Sequence, residues 1–240
     1  MRFADLTGAD PLWDDVHREV LTPSFPPAEL ASPADLRAEV ADGRTTGTAV
    51  LDARKRPVAA AIGRWYPAAR VQLLTYLAVL DSQRGTGVGG QLLAHVVHDW
   101  IVRYRPCAIL AEVEHPKAHA GSAAHGDPTA RLRFYARHGG AALDLPYFQP
   151  ALSAETGRLY GLVLLSLHVD PELTGLDGAG TVSGAALREF LRSYLDETEG
   201  RKCPPDEDTA ALLAATDRPG GVPTFALDDP ARLPLTTPPG

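Results

Sequence analysis

The sequence of 240 residues has only two cysteines, no apolar run long enough to cross a bilayer, and fewer basic than acidic side chains. Cys107 and Cys203 lie far apart, so we expect neither a disulfide framework nor a zinc site. The 23 Lys and Arg residues against 30 Asp and Glu residues give a net charge of −7, which argues against binding to nucleic acid or to an anionic membrane. Because no signal-peptide core follows Met1, we expect a soluble cytoplasmic protein.

Helical and strand-like patterns alternate along the chain, which predicts a mixed α/β fold. Strands are predicted at 1–6, 48–51, 57–65, 71–80, 107–114, 141–148 and 158–169. Helices are predicted at 11–21, 33–42, 88–105, 127–138, 183–199 and 206–216. The composition changes after Asp170, where glycine and acidic residues increase. We therefore predict a first domain at 1–170 and a C-terminal helical or irregular extension at 171–240 that packs on it, with 219–240 irregular.

Glycines are crowded between a predicted strand and a predicted helix, in the run Arg84-Gly85-Thr86-Gly87-Val88-Gly89-Gly90. Glycines at such a place leave main-chain N–H groups uncovered, and the start of the helix adds a partial positive charge. The side chain of Arg84 adds a full positive charge. The turn is therefore predicted to bind the phosphate groups of a cofactor.

Two common phosphate-binding loops fit this run less well than a third. A nucleoside-triphosphate loop is excluded, because Gln91-Leu92 stands where lysine and a hydroxyl residue are needed. A dinucleotide loop stays open, since Gly85, Gly87 and Gly90 satisfy G-x-G-x-x-G and Glu112 lies near the place of a ribose-binding acid. Four residues separate these glycines from the strand, however, and the chain supplies no second βαβ half.

The third possibility is a resemblance to the GNAT family of N-acetyltransferases, carried by two segments. The first is Leu77-Ala78-Val79-Leu80-Asp81-Ser82-Gln83-Arg84-Gly85-Thr86-Gly87-Val88-Gly89-Gly90-Gln91-Leu92-Leu93, which resembles the acetyl-CoA motif of the family at Arg84, Gly87 and Gly89. The second, Arg133-Phe134-Tyr135-Ala136-Arg137-His138-Gly139, resembles a second cofactor motif. The likeness spans roughly residues 45–169 and implies a mostly antiparallel central sheet flanked by helices.

The sequence departs from the family pattern at a few positions. Asp81 stands where the family often has proline, and Gly139-Gly140 stands where it often has Gly-Phe. The loop 115–127 is longer than usual, and the segment after Asp170 lies outside the common core. These additions leave the identity of the acceptor open.

The resemblance implies acetyl-CoA as the co-substrate and assigns it two sets of contacts. The main chain of Leu77, Ala78 and Val79 would pair with the pantetheine like an added strand, and the amide of Val79 would polarise the thioester oxygen. The pyrophosphate would be held by the amides of Arg84, Gly85, Thr86, Gly87, Val88, Gly89 and Gly90.

Acetyl transfer to an amine also needs a base and an acid. Tyr135 is the candidate acid for the departing thiolate, since family members commonly place a tyrosine there. Glu112 is the candidate base, directly or through water. Strand alternation puts Glu114 on the same face, so either carboxylate could serve, and a close pair would raise one pKa. We expect Glu114 and His115 to be the acceptor contacts.

The remaining histidines and aromatic residues carry weaker signals. His115, His119 and His125 are irregularly spaced in a loop, so we expect solvated side chains and no metal site. Trp13, Trp65 and Tyr147 could wall an acceptor pocket, although aromatic side chains are more often part of the core.

The sequence therefore predicts an N-acetyltransferase that moves the acetyl group of acetyl-CoA to a primary amine of a small molecule, by direct attack in a ternary complex. Two alternatives stay open: a non-catalytic module that binds or senses acyl-CoA, and a dinucleotide-dependent oxidoreductase. An acyl group longer than acetyl also stays open. The apolar strand at 162–167 could lie at the interface of a homodimer.

Overall fold

The computed structural model describes residues 1–27, 29–121, 126–152, 157–170, 180–200 and 205–238. Their contacts divide into two compact units. The first contains Met1–Trp65 and Gln72–Arg103, and the second contains Tyr66–Val71 and the described residues from Tyr104 onward. None of the helices in the described ranges combines the length and the apolar character required to cross a membrane.

The first unit is a run of four adjacent strands with helices. The strands lie in the order β1-β2-β3-β4, and β2 pairs antiparallel with both β1 and β3. They are β1 (Arg2–Leu6), β2 (Thr45–Leu51), β3 (Pro57–Tyr66) and β4 (Val71–Val79). The last residue of β3, Tyr66, and the first residue of β4, Val71, belong by their contacts to the second unit. The helices are α1 (Leu12–Asp15), which continues as a π-helical stretch at Val16–Leu21, then α2 (Pro33–Ala41) and the long α3 (Val88–Tyr104).

Large side chains fill the core of the first unit. Trp13 and Ile62 are buried there, so Trp13 does not wall a pocket but packs in the core. The indole N–H of Trp100, on α3, donates a hydrogen bond of 2.9 Å to the hydroxyl of Thr46 on β2. A Cβ added at Gly63 would collide with the Trp100 ring, so this glycine lets α3 lie close to the sheet.

The second unit has its own run of strands, in the order β5-β7-β6-β9-β8. Each strand pair with a defined register is antiparallel. The strands are β5 (Ala108–Glu114), β6 (Ala141–Leu143), β7 (Leu162–Val169), β8 (Thr181–Val182) and β9 (Val222–Ala226). The helices are α4 (Pro128–Arg137), α5 (Gly184–Glu199) and α6 (Glu207–Ala214).

The predicted mixed α/β class with mostly antiparallel strands is confirmed. The pairs β1–β2, β2–β3 and β5–β7 are antiparallel, whereas a dinucleotide-binding fold is built on parallel βαβ units, so these pairs do not favour the dinucleotide alternative. The predicted domain division at residue 170 stays a prediction, since 171–179 lie outside the described residues.

Three of our predictions about local structure are wrong. The strand at 141–148 ends at Leu143, because the amides of Leu145 and Tyr147 turn back to carbonyls two residues earlier. The segment 219–240 is not wholly irregular, since β9 pairs with β6. The apolar stretch of β7 does not form an exposed interface, because Leu162–Leu165 are buried between β5 and β6.

One buried arginine fastens the C-terminal helices to the rest of the second unit. Arg158 donates hydrogen bonds to Glu199, at the end of α5, and to Asp206, which caps α6. Its guanidinium also lies 4.3 Å from the ring centre of Phe148. The side chains of Arg158 and Glu199 are only 12% and 5% exposed, so this ion pair is shielded from water. Arg158 holds the pKa of Asp206 well below its usual range.

We expect Arg158→Met to destabilise the protein by about 3 kcal/mol, because Glu199 would stay buried without its cationic partner. For a chain of this length the melting temperature should fall by roughly 6–12 °C. Thermal unfolding followed by circular dichroism measures the change. Arg18→Met, which removes an exposed pair, is the matched control and should melt with the parent. Equal melting of Arg158→Met and the control would contradict the role of the buried pair.

Candidate functional site

The glycine turn of the first unit has the geometry of a helix start with an open main chain. After β4 the chain makes a single 3-10 turn at Asp81–Gln83, and α3 begins at Val88. Gly85 and Gly87 adopt φ angles of 77° and 88°, which side chains other than glycine rarely tolerate. No described atom lies within 4 Å of where a Cβ at Gly85 would be. The backbone there can be approached closely.

Most of the amides of this turn are left without an internal partner. Those of Arg84 and Thr86 donate to carbonyls within the turn. The first helical bond of α3 runs from Gln91 to the carbonyl of Gly87, at 3.1 Å. Within the described part of the chain, no acceptor lies in hydrogen-bonding geometry to the amides of Gly85, Gly87, Val88, Gly89 or Gly90. These five N–H groups are the donors that an anion can use.

The predicted cationic side chain of the turn is paired with a neighbour. Arg84 forms a 2.9 Å ion pair with Asp81, and both side chains are largely exposed. An exposed pair of this kind contributes little stability, so a stronger anion can displace the Asp81 carboxylate. Asp81 therefore competes with an incoming anion for the side chain of Arg84.

The strand segment predicted to pair with pantetheine ends β4. Ala78 is buried, whereas Leu77 and Val79 are half-buried. The amide of the following Leu80 donates to the carbonyl of Val58 on β3, at 3.0 Å. The structure thus places all ten predicted cofactor-binding residues in one continuous stretch of the first unit.

The predicted base, Glu112, lies on β5 of the second unit and is held by two neutral donors. The hydroxyl of Tyr147 donates to one carboxylate oxygen, and the side-chain amide of Gln149 donates to the other at 3.0 Å. Burial, followed by the Glu112 carboxylate, raises the pKa of Tyr147 well above that of an exposed tyrosine. Tyr147 therefore remains a hydrogen-bond donor at neutral pH.

Glu114, two residues further along β5, has a different environment. Its carboxylate accepts a hydrogen bond from the guanidinium of Arg131 on α4, and His119 lies 3.8 Å away. The Arg131 guanidinium therefore already occupies part of the hydrogen-bonding capacity of this carboxylate. Arg131 thus engages Glu114 in an ion pair, whereas Tyr147 and Gln149 donate hydrogen bonds to Glu112.

His115 is not a solvated loop side chain, contrary to our expectation, because it is fully buried. Its Nδ1 accepts a hydrogen bond from the amide of Lys117, at 3.0 Å, which leaves the proton of the neutral ring on Nε2. Burial lowers the pKa of the ring, whereas the carbonyls of Leu233 and Pro230 near it oppose that shift. His115 therefore packs beneath the C-terminal segment, and its contact with an acceptor stays a prediction.

The predicted acid, Tyr135, lies on α4 and is buried, with 7% of its surface exposed. Burial raises the pKa of its phenol to about 12. The carbonyl of Tyr135 accepts from the amides of His138 and Gly140, which end the helix. A Cβ at Gly140 would lie 3.0 Å from that carbonyl, so glycine at this position permits the tight ending of the helix.

Sequence reasoning missed some of the residues around Glu112. Gln149 carried no signal, because its role depends on a contact between residues far apart in the sequence. Tyr147 was expected only as a pocket wall.

Within the described ranges there is no group of three or more His, Cys, Asp or Glu side chains suited to a metal. His125 and Cys203 lie outside those ranges.

Comparison with solved structures identifies the fold. An acetyltransferase of the GNAT family from Bacteroides thetaiotaomicron superposes with a TM-score of 0.59, at 22% identity, over 84% of this chain and all of that one. The protein therefore has the GNAT acetyltransferase fold. Neither the models of protein families nor the curated proteins give a match.

Two other neighbours superpose less well, and no argument rests on them. The ribosomal-protein-S18-alanine N-acetyltransferase from Escherichia coli has a TM-score of 0.48 at 16% identity, over 71% of this chain and 96% of its own. An aminoglycoside 6'-N-acetyltransferase complexed with coenzyme A has a TM-score of 0.49 at 15% identity, over 71% of this chain and 99% of its own.

We expect His115→Gln to weaken the pH dependence of stability. Because burial lowers the pKa of His115, the unfolded chain binds more protons below the ordinary histidine pKa of about 6.5. The stability that this ring contributes is complete above that value and is lost as the pH falls. Urea unfolding at pH 7.5 and 5.0 should therefore show a smaller loss in the variant than in the parent.

The control for that experiment is His98→Gln, which changes an exposed ring on α3. His168, whose pKa burial also lowers, remains in both proteins and contributes equally to each loss. If the His115 and His98 variants lose the same stability between the two pH values, His115 does not titrate as its burial implies.

Proposed function

We propose that this protein is an acetyl-CoA-dependent N-acetyltransferase that transfers the acetyl group to a primary amine of a small molecule. The observation that carries the proposal is the set of five unpaired amides at the start of α3, on a turn whose glycines leave the main chain open. A diphosphate is the ligand that such a turn suits, and the fold supports the choice of acetyl-CoA.

In the proposed binding mode, the five unpaired amides of Gly85, Gly87, Val88, Gly89 and Gly90 hold the diphosphate of the coenzyme. The amides of Arg84 and Thr86 donate within the turn, and the side chain of Arg84 leaves Asp81 to pair with a phosphate. The main chain of Leu77 to Val79 pairs with the pantetheine arm, and the amide of Val79 polarises the thioester carbonyl.

We expect Arg84→Glu to weaken acetyl-CoA binding by roughly 10- to 100-fold, because a charged hydrogen bond is lost and a repulsive charge takes its place. Isothermal titration calorimetry measures the dissociation constant. Arg54→Glu, which makes the same charge change in the exposed turn between β2 and β3, should bind like the parent. Equal affinity of the Arg84 variant and the parent would remove the turn from the cofactor site.

Glu112 is the proposed general base. The attacking nitrogen must lose a proton, and the Glu112 carboxylate, which Tyr147 and Gln149 hold at its two oxygens, is a suitable acceptor for that proton. Glu114 is paired with Arg131 and is proposed instead to bind the cationic acceptor. The ion pair that already engages Glu114 is the observation that favours Glu112 as the base.

Tyr135 is the proposed acid. As the amine nitrogen bonds to the thioester carbon, the carbon–sulfur bond breaks and the sulfur takes up the phenolic proton. With a pKa of about 12 the phenol stays protonated at every pH at which the enzyme would work. Glu112 then releases to solvent the proton that it removed from the amine, and the Tyr135 phenolate takes up a proton from solvent.

We expect Tyr135→Phe to lower kcat by about 100-fold while the dissociation constant of acetyl-CoA changes little, because the hydroxyl acts only on the leaving thiolate. Free thiol release, measured with acetyl-CoA and a panel of amines, reports kcat. Deprotonation of Tyr135 should not lower the rate of the parent up to pH 10, which is two units below the pKa of that phenol. An unchanged kcat in the variant across the pH range would rule out this acid.

The panel of acceptors should differ in chemistry. Spermidine, an aminoglycoside and a peptide that begins with alanine present primary amines on a flexible chain, on a sugar and at a main-chain terminus. The net charge of −7 favours cationic acceptors over acidic ones. Binding of acetyl-CoA without thiol release for any amine would instead indicate a non-catalytic binding module.

A further inference from the structure

The Glu112 carboxylate is held at both of its oxygens. Tyr147 donates to Oε1 and Gln149 donates to Oε2, so a rotation of the carboxylate would break two hydrogen bonds at once. Tyr147 is only 1% exposed, and its hydroxyl is aimed at a charged group from within the core. A buried phenol in that position costs free energy unless it is satisfied, and Glu112 satisfies it.

The segment that carries these two donors is itself fixed. The main chain of Gln149 exchanges two hydrogen bonds with Leu159, at 2.9 and 3.0 Å. Phe148, between the two donors, is fully buried under the guanidinium of Arg158. The donors are therefore presented to Glu112 from a rigid stretch of main chain.

The C-terminal helix α5 supports the same segment by two routes. Its last residue, Glu199, accepts a hydrogen bond from the amide of Ala151 at 3.1 Å as well as the ion pair from Arg158. Tyr194, one turn earlier, packs with Tyr66 near the hydroxyl of Tyr147, and both phenols help to raise the pKa of Tyr147. The part of the chain outside the common family core thus reaches the partners of Glu112.

We propose that Tyr147 and Gln149 are positioning residues, which keep the Glu112 carboxylate ionised and oriented, and that α5 holds them in place. This inference rests on the proposed function, in which Glu112 is the base. Hydrogen-bond donors to a carboxylate favour its charged form, so they extend the range over which the base is active to lower pH. Both donors are neutral and leave the carboxylate able to accept a proton.

The test compares Tyr147→Phe with the parent in thiol release from acetyl-CoA, with spermidine, an aminoglycoside and an alanine-starting peptide, from pH 5 to 10. The acidic limb of the kcat profile should move to higher pH, so that kcat falls about tenfold at pH 6 and much less at pH 9. Tyr160→Phe is the matched control, since it removes a hydroxyl that donates to Asp208 instead. Its profile should follow that of the parent.

A second readout does not depend on activity. In protein labelled with carboxyl-¹³C glutamate, the Glu112 resonance, assigned by its loss in Glu112→Gln, should titrate at higher pH in Tyr147→Phe than in the parent. If Tyr147→Phe does not fold, Gln149→Leu removes the other donor at a less buried position and should give the same direction.

The two readouts separate the possible failures. A parent that releases no thiol with any amine contradicts the proposed function, while the titration of Glu112 still decides the positioning. A kcat that falls equally at all pH values, or a Glu112 resonance that titrates alike in parent and variant, overturns the assignment of Tyr147 and leaves it a packing side chain.

Discussion

Five main-chain N–H groups at the start of α3 have no acceptor within the described part of the chain, and the candidate site depends on these donors. The positive φ angles of Gly85 and Gly87 turn the main chain so that successive N–H groups face outward from the helix. A side chain at either position would strain the turn, and an acceptor from elsewhere in the protein would occupy the donors. Two backbone angles thus decide whether the first unit can hold an anion.

The features that the sequence predicts correctly are those set within a short stretch of chain. The helices predicted at 33–42, 88–105, 127–138 and 183–199 are set by local sequence, and α2, α3, α4 and α5 lie within one residue of those bounds. The antiparallel mixed α/β class followed from the resemblance of two motifs. The local sequence was enough to predict these elements, because few other backbone conformations suit their residues.

The features that could not be predicted depend on partners far away in the sequence. The strand β9 contains proline and reads as irregular until β6 is known to lie beside it. His115 reads as a solvated loop residue until the C-terminal segment covers it. Gln149 and Arg158 act through contacts with β5, α5 and α6 that no spacing encodes. Residue type alone did not distinguish Glu112 from Glu114 either, because only their partners differ.

The ion pair between Arg84 and Asp81 has a consequence for how the turn would exchange its ligand. An anion arriving at the turn replaces one negative partner of the arginine by another, so the net gain is the difference between two attractions. Added salt weakens both attractions together. Ionic strength should then change the binding of an anion to the turn less than it would beside an arginine without such a partner. The Asp81 carboxylate also assists departure of the ligand, because it can pair with Arg84 again.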